Sequence, residues 1–270
     1  MQRIRAAAYA VLQYVVIVLT GILTFLIFRV GNRTTVVGRP PRGPQPRMLV
    51  ISNHQSLVDS FLVGAVLSYP WLYWQPWKLQ YQLADGRNFM THPVMKHVYA
   101  LLRVIPVGRD ANGNRSDSAA FKRSVMLLRQ GQMLHVFIEG TRSVSGDLLP
   151  PKPQVAGMAL LSGATVLPVY FTGMHDVQPY RKLPGDGRAT WLRPLFGPTV
   201  EWLIHMRFGH RLTIAFGDPI APSEIDGLVG DYDKAARSAA LAAIIMERLR
   251  SLKEVVDRQH HGHHPQRLAS

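Results

Sequence analysis

A histidine and an aspartate five positions apart, His54 and Asp59, are the residues of this chain best suited to acid–base chemistry. They stand between two largely apolar runs, 48–52 and 61–67, which predict a buried strand, a turn and a helix. A neutral imidazole takes up a proton near pH 7, and an ionised carboxylate beside it orients the ring and supports its charged form. The pair is therefore a candidate general base with a supporting carboxylate.

The same stretch also has a purely structural interpretation. Ser56 and Asp59 fit the Ser-x-x-Asp form of a capping box, with Ser56 as the N-cap of the helix. On a helix of roughly 3.6 residues per turn, positions five apart point about 140° away from each other. His54 must therefore lie in the turn before the helix if it is to meet Asp59. Both interpretations are compatible with this one geometry.

A second polar turn follows the apolar run 133–138. Arg142 offers a planar guanidinium fork to two phosphate oxygens, and the Thr141 hydroxyl and the turn amides donate further hydrogen bonds. Glu139 is expected to hold the guanidinium in place, and Gly140 permits the sharp turn. The alternative is an ordinary polar turn with an ion pair.

These side chains need a scaffold that brings strand ends together. Strand-like and helical patterns alternate from residue 48 to residue 171, which predicts an α/β fold with a central mixed, largely parallel sheet flanked by helices. Sites in such sheets gather at strand ends. Arg109 follows the strand-like run 104–107 and is either a ligand contact or a solvated surface arginine. One sheet edge is predicted to hold His54, Arg109 and the turn 139–142.

The charge balance indicates an anionic partner. The 270 residues carry a formal net charge of +14, and the pI is near 10.5. Nucleic acid, an acidic membrane surface and phosphate-bearing substrates all qualify. Nucleic acid is not expected, because the arginines lie among apolar and aromatic stretches and no nucleic-acid-binding module is recognised. The absence of cysteine excludes disulfides, cysteine nucleophiles and cysteine-ligated metal centres.

The N-terminal segment 1–30 is predicted to be a membrane anchor helix, because residues 6–28 carry no charge and are long enough to cross a bilayer. Cleavage as a signal peptide is not expected, since the apolar run is too long and no small-residue cleavage site follows it. Five arginines between residues 29 and 47, against two before the helix, predict that the remaining chain is cytoplasmic. The alternative is a helix that lies in one leaflet.

The rest of the chain is divided by composition. Residues 31–47, rich in Pro, Gly and Arg, are expected to form a basic linker that runs extended along the surface. Residues 48–258 form one globular domain. Residues 259–270 contain four histidines and are predicted to be a flexible tail rather than a zinc site. The aromatic-rich segment 69–77 either contacts the membrane interface or closes the core.

Taken together and in order, four motifs resemble those of the glycerolipid acyltransferase family, best known for 1-acylglycerol-3-phosphate acyltransferases. They are Asn53-His54-x4-Asp59, Ile105-Pro106-Val107-Gly108-Arg109, Phe137-Ile138-Glu139-Gly140-Thr141-Arg142-Ser143 and Leu167-Pro168-Val169. The resemblance covers residues 48–171. It implies that His54 is the general base on an acceptor hydroxyl, that Asp59 supports it, and that Arg109 and residues 139–142 bind the acceptor's phosphate.

The reaction that the resemblance implies is transfer of a fatty acyl group from acyl-CoA or acyl carrier protein (acyl-ACP) to the free hydroxyl of 1-acylglycerol-3-phosphate, giving phosphatidic acid. The thioester donor is already activated, so we expect no metal and no cofactor besides this co-substrate. Membrane lipids, the lysophospholipid acceptor and the donor are the expected partners. Turn amides near His54 or Gly140 are candidate donors to the negative charge that develops on the thioester oxygen.

Two positions depart from the family pattern. Ile138 stands where the family usually has proline, and Gln154 stands near where a glycine usually follows the lysine that corresponds to Lys152. The second departure affects the loop after the predicted phosphate site. The alternative acceptors are therefore another lysophospholipid or a lyso-aminolipid. Outside catalysis, the alternative is a protein that only binds anionic lipid.

Overall fold

The computed structural model describes residues 2–41, 45–86, 90, 92–108, 118–179, 205–230 and 233–262. Seven strands within these ranges form one sheet. They are β1 (Arg33–Val37), β2 (Met48–Ser52), β3 (Tyr81–Asp85), β4 (Val104–Val107), β5 (Leu134–Phe137), β6 (Thr165–Thr172) and β7 (Arg211–Phe216). Their order across the sheet is β1-β7-β6-β2-β5-β3-β4. The β6–β7 pair is antiparallel and the other neighbours are parallel, which confirms the predicted mixed, largely parallel sheet.

Eight α-helices accompany the strands in the described part of the chain. They are α1 (Gln2–Phe25), α2 (Asp59–Leu67), α3 (Met95–Leu101), α4 (Ser118–Arg129), α5 (Pro153–Ser162), α6 (Met174–Val177), α7 (Pro222–Val229) and α8 (Lys234–Gly262). A π-helical turn, Leu26–Gly31, continues α1, and two 3-10 turns, Trp71–Tyr73 and Pro76–Lys78, follow α2.

The central strand β2 shows how both faces of the sheet are covered. All five of its residues are buried, because successive side chains point to opposite faces and each face carries helices. Leu49 and Ile51 belong to a core that includes α4, α5 and α8, whereas Met48 and Val50 belong to a core that includes α2. A strand buried on both sides requires a continuous apolar run, which is the pattern that predicted it.

The predicted linker, residues 31–47, is in part a strand. Residues 33–37 form β1, which pairs in parallel with β7 at the edge of the sheet, so the globular domain begins before residue 48. This strand has no central apolar run because an edge strand is only partly buried. At the other end of the chain, α8 continues to Gly262 and takes in the first residues of the predicted tail. The rest of that tail lies outside the described residues.

The N-terminal helix α1 packs against the globular domain along its second half. Ile17, Gly21, Thr24 and Phe28 are buried and recur at helical spacing, which places them on one face of the helical segment. The first half is exposed. By length and composition alone, the helical segment Arg3–Gly31 is long and apolar enough to cross a membrane.

Candidate active site

The two predicted polar turns meet at one edge of the sheet because β2 and β5 are parallel neighbours. Ser52 is paired with Phe137 at the ends of these strands, so the chain leaves both strands at the same level. The two turns are then joined directly, since the Ser143 backbone N–H donates to the His54 carbonyl at 2.8 Å. The predicted convergence of His54 with the turn after β5 is therefore present.

His54 and Asp59 form the predicted pair. The distance from His54 Nδ1 to Asp59 Oδ2 is 2.9 Å. The same carboxylate oxygen accepts the backbone N–H groups of Gln55 at 2.6 Å and Ser56 at 2.8 Å, and Oδ1 accepts the Ser56 hydroxyl. An ionised carboxylate only accepts hydrogen bonds, so Nδ1 carries a hydrogen and Nε2 is the basic nitrogen of the ring. The Asp59 side chain is fully buried, which keeps water from competing for these contacts.

The capping interpretation of this stretch also holds in part. The helix begins at Asp59, with Val58 rather than Ser56 in the N-cap position. Asp59 reaches back to the Ser56 backbone N–H, as the acid of a capping box does, while the Ser56 hydroxyl accepts the Val58 N–H at 3.2 Å. One carboxylate therefore closes the turn before the helix and orients the imidazole.

The imidazole of His54 lies against the ring of Phe137, a residue that the sequence pattern predicts only as part of a strand. The centroids of the His54 and Phe137 rings are 3.7 Å apart and their planes differ by 5°. The rings of His135 and Phe137, on the same strand, meet edge to face with their centroids 4.8 Å apart. Phe137 therefore restricts the tilt of the His54 ring, and Asp59 restricts its rotation.

His135 is a second histidine near the site, and it is buried. Its Nε2 lies 2.8 Å from the Ser52 hydroxyl, and its Nδ1 has no hydrogen-bond partner among the described residues. Burial, with a smaller contribution from His54, lowers the pKa of His135 to about 3. His135 is therefore neutral at pH 7 and packs behind Phe137 as an uncharged ring.

Asn53 connects the turn that carries His54 to the neighbouring strand β6. Its side-chain amide donates to the Phe171 carbonyl at 2.9 Å, and its carbonyl oxygen accepts the Phe171 N–H at 3.0 Å. Both residues are buried. This two-way contact fixes the backbone directly before His54. Asn53 belongs to the Asn53-His54-x4-Asp59 motif, but no local pattern indicates its contact with Phe171.

Glu139 faces the interior of the site. It is 1% exposed, its Oε1 accepts the Leu149 backbone N–H at 3.3 Å, and its Oε2 has no hydrogen-bond partner among the described residues. Burial raises the pKa of Glu139 to about 7, the backbone amides of Leu149 and His54 partly oppose this rise, and the charge of Asp59 adds to it. Thr141 is exposed and Arg142 is half-buried. The four residues of the turn are thus divided between the interior and the surface.

Four backbone amides of the two turns are already occupied. Gly140 has φ +65° and donates its N–H to the Phe137 carbonyl at 3.1 Å. The amides of Gln55 and Ser56 bind Asp59, and that of Ser143 binds the His54 carbonyl. These four amides, which lie where donors to a developing oxyanion were expected, are therefore committed to holding the turns.

Ile138 has a role that the family's usual proline cannot fill. Its N–H donates to the Ser52 carbonyl at 3.1 Å, which extends the pairing of β2 and β5 by one residue. Its own carbonyl accepts the Lys152 N–H at 2.7 Å, so the loop after the turn returns to the same point. Proline has no N–H and would forgo the first of these bonds.

Arg109 lies outside the described residues. The strand before it, β4, ends at Val107 and runs parallel to β3, which is parallel to β5, so β4 ends at the same edge of the sheet as β2 and β5. Within the described ranges, no three His, Asp or Glu side chains come together in a way that could hold a metal ion.

Comparisons with known proteins concern the family and the fold of this chain. A family model described as Acyltransferase matches residues 33–172, the range from β1 to β6. The 1-acyl-sn-glycerol-3-phosphate acyltransferase BAT2 of Brassica napus is 26% identical over 157 residues, which are 57% of this chain and 42% of that protein. The 1-acyl-sn-glycerol-3-phosphate acyltransferase of Borreliella burgdorferi is 23% identical over 153 residues, 57% of this chain and 56% of that protein. The chain therefore spans about half the length of these relatives.

The fold is similar to that of a solved structure. The crystal structure of the 1-acyl-sn-glycerophosphate (LPA) acyltransferase PlsC from Thermotoga maritima matches 93% of this chain and 83% of that chain. The TM-score is 0.57 and the sequence identity is 19%, so this match concerns the fold alone.

Proposed function

The chain belongs to the acyltransferase family, and from this premise we propose that it transfers a fatty acyl group from acyl-CoA or acyl-ACP to the free hydroxyl of 1-acylglycerol-3-phosphate. The product is phosphatidic acid, an intermediate of phospholipid synthesis. The single observation that carries the proposal is the contact between His54 Nδ1 and Asp59 Oδ2 at 2.9 Å, at the edge of the sheet where the two polar turns meet.

His54 acts as the general base in this reaction. Its Nε2 accepts the proton of the acceptor hydroxyl as the hydroxyl oxygen attacks the carbonyl carbon of the thioester. The tetrahedral intermediate collapses when the carbon–sulfur bond breaks, and the imidazolium returns the proton to the leaving thiolate. Asp59 stabilises the imidazolium through Nδ1 and is not itself protonated. His54 is only 9% exposed, which limits the access of water, the competing nucleophile.

The phosphate of the acceptor is proposed to bind on the surface side of the turn after β5. The exposed Thr141 and the half-buried Arg142 supply a hydroxyl and a guanidinium there. The exposed Lys152 is the N-cap residue of α5, and its side chain lies against Gly140. Glu139, being buried, supports the turn from within. Arg109 is proposed as a further phosphate ligand on the strength of its motif.

The protein is proposed to work at a membrane, with the catalytic domain on the cytoplasmic face. The second half of α1 packs against the domain through Ile17, Gly21 and Thr24. A helix that crosses the bilayer would draw this packed half, and the domain with it, into the hydrocarbon layer. The packing therefore favours the alternative in which α1 lies in one leaflet.

The experiment that tests the function is an acyl-transfer assay with the purified full-length protein, lysophosphatidic acid and acyl-CoA or acyl-ACP. The wild-type protein should form phosphatidic acid, and His54→Ala should lose at least about 10²-fold in kcat. Full activity of His54→Ala would show that another group is the base.

The acceptor is tested by the Arg142→Ala variant. We expect a higher KM for the acceptor with a smaller change in kcat, because the guanidinium binds phosphate in both the ground state and the transition state. The matched control is Arg250→Ala, which removes an exposed arginine from α8. A panel that includes other lysophospholipids and a lyso-aminolipid identifies the preferred acceptor. Binding to anionic vesicles without turnover on any acceptor would favour the non-catalytic alternative.

A further inference from the structure

The segment between α2 and β3 carries four large aromatic side chains at the surface. Trp74 is 67% exposed, Trp77 57%, Tyr69 46% and Trp71 41%. A soluble domain rarely exposes several large apolar groups together, and such a patch usually marks a binding surface. We call these four side chains the aromatic platform. Their exposure means that most of this segment does not close the core.

The platform is held firmly against α1. The rings of Tyr69 and Phe25 stack with centroids 5.0 Å apart. The Tyr14 hydroxyl donates to the Tyr73 carbonyl at 3.1 Å, so a second point of α1 is bound to the same segment. The aromatic side chains therefore do not sit on a free loop.

A side chain from within the segment anchors it as well. Leu72 lies between Trp71 and Trp74, is 8% exposed, and packs where Gly21 of α1 has no side chain. The Trp74 N–H donates to the Trp71 carbonyl at 3.1 Å in the first 3-10 turn. With Leu72 pointing inward, the turn leaves the neighbouring tryptophans outside.

The platform adjoins the apolar side of α1. The exposed large apolar residues of that helix include Val11, Leu12, Val15, Leu19, Ile22 and Leu23. The segment packs on α1 at Tyr14, Gly21 and Phe25, so the exposed aromatic groups and the exposed aliphatic groups belong to two elements that are held together.

The part of the chain that carries α1 and the platform has a positive charge balance. Residues 1–84 contain eight Lys and Arg residues and one acidic residue, Asp59, whose side chain is fully buried. A second copy of the chain would bring the same positive charge to the same face, whereas an anionic surface complements it. Tryptophan and tyrosine combine an apolar ring with a polar group, which suits them to the headgroup region of a bilayer.

We propose that the aromatic platform lies in the headgroup region of an anionic lipid surface and forms a second contact beside α1. The inference rests on the proposed function in one respect only, which is that the acceptor lipid lies in that same surface. α2 joins the platform to the catalytic turn, and its nine residues rise about 14 Å. Two contacts on one rigid body fix the orientation of the domain, whereas α1 alone would let it rotate about the helix axis.

The test uses the absence of cysteine from the chain. Trp74→Cys in the full-length protein receives a polarity-sensitive fluorophore, and Met126→Cys is the matched control. Met126 is 51% exposed on α4, which belongs to the opposite face of the sheet. A third label at Leu19→Cys reports on α1. Each protein is mixed with vesicles of phosphatidylglycerol and phosphatidylcholine, with and without bromine-labelled lipid.

We expect the labels at positions 74 and 19 to brighten, shift to the blue and be quenched by bromine-labelled lipid, while the label at position 126 does none of these. A label at 74 that stays in water while the label at 19 is quenched would overturn the proposal. A fluorescence change of the label at position 74 that needs only a higher protein concentration and no vesicles would also overturn the proposal, because it would indicate self-association.

A second pair of variants links the platform to activity. Trp74→Ser/Trp77→Ser should lower the rate on vesicle-borne lysophosphatidic acid by about tenfold and leave the rate on a dispersed short-chain acceptor unchanged. Met126→Ser/Leu228→Ser, which changes two exposed apolar residues on other helices, should leave both rates unchanged. Equal losses of rate on the vesicle-borne and the dispersed acceptor would contradict the proposed role of the platform. The fluorescence measurement does not depend on acyl transfer. Lipid contact without turnover would therefore contradict the proposed function but not the platform.

Discussion

The imidazole of His54 lies flat on the phenyl ring of Phe137, with ring centroids 3.7 Å apart. This stack completes the positioning of the proposed base, because the hydrogen bond to Asp59 alone leaves the ring free to tilt. A protonated imidazole is also stabilised over the face of an aromatic ring. Phe137, which stands two residues before Glu139, thus positions the histidine of the other turn.

Replacing Phe137 with leucine should remove the stack and keep most of the apolar volume. We expect kcat to fall about two- to tenfold, in line with the roughly 0.5–1.5 kcal/mol of an aromatic contact, with the acceptor KM little changed. Steady-state kinetics measures both constants. Phe121→Leu, at a partly buried position on α4, is the matched control. If both variants lose stability equally and neither loses kcat, Phe137 has only a packing role.

Asp59 and Ser56 should differ in how strongly they affect catalysis. Asp59→Asn replaces an acceptor oxygen with a donor, so the contacts to His54 and to two backbone amides cannot all persist. We expect kcat to fall about 10²–10⁴-fold. Ser56→Ala removes the hydroxyl that donates to Oδ1 and accepts the Val58 N–H, and it should lower kcat about tenfold or less. Ser60→Ala, one residue further along α2, serves as the control in the same assay. A larger loss for Ser56→Ala than for Asp59→Asn would reverse the assignment.

Glu139 should make the folded protein less stable as the pH rises. Its pKa is raised to about 7 from 4.5, so between these values the folded state binds this proton more tightly than the unfolded chain does. The stability from this group is present in full below about pH 4.5 and is lost as the pH approaches 7. Glu139→Gln keeps an acceptor for the Leu149 amide and should remove this dependence.

The measurement for Glu139 is the free energy of unfolding in urea at pH 5 and pH 8. The difference in free energy of unfolding between Glu139→Gln and the wild-type protein should shift by about 1–3 kcal/mol in favour of the variant from pH 5 to pH 8. The control is Glu254→Gln, at an exposed position on α8. His135 has the opposite effect, because its lowered pKa reduces the free energy of unfolding as the pH falls from 6.5 toward 3. This contribution is the same in the wild-type protein and in Glu139→Gln, so it cancels when the two are compared. The same change in free energy of unfolding between pH 5 and pH 8 for Glu139→Gln and the wild-type protein would contradict the raised pKa of Glu139.

Ile138→Pro introduces the residue that the family usually has. It removes the N–H that donates to the Ser52 carbonyl and should lower the free energy of unfolding by roughly 1–3 kcal/mol, part of it from the lost buried side chain. Ile138→Val keeps the N–H, and its free energy of unfolding should fall by less. Thermal unfolding of the two variants measures the difference. A proline variant as stable as the valine variant would show that the extra bond contributes nothing.

Several features could be predicted from the sequence because their causes are local or belong to one strand. The run 48–52 is apolar throughout because β2 is buried on both faces, and the capping chemistry of Ser56 and Asp59 brings the carboxylate back to the turn of His54. The strand ends before His54 and Glu139 follow from the alternation of strands and helices. β1 and β3 were missed because both are only partly buried and are recognised by their partners rather than by their own pattern.

The sequence by itself determined the pair His54 and Asp59 and the strands that precede the two polar turns. Only the tertiary structure decided that Phe137 stacks on His54, that Asn53 binds Phe171, 118 positions away, and that Glu139 points inward. The physical reason is that these contacts depend on strand order and register, which are set by the packing of the whole sheet. Local spacing determines which residues can meet within one turn, whereas the order of the strands determines which turns meet each other.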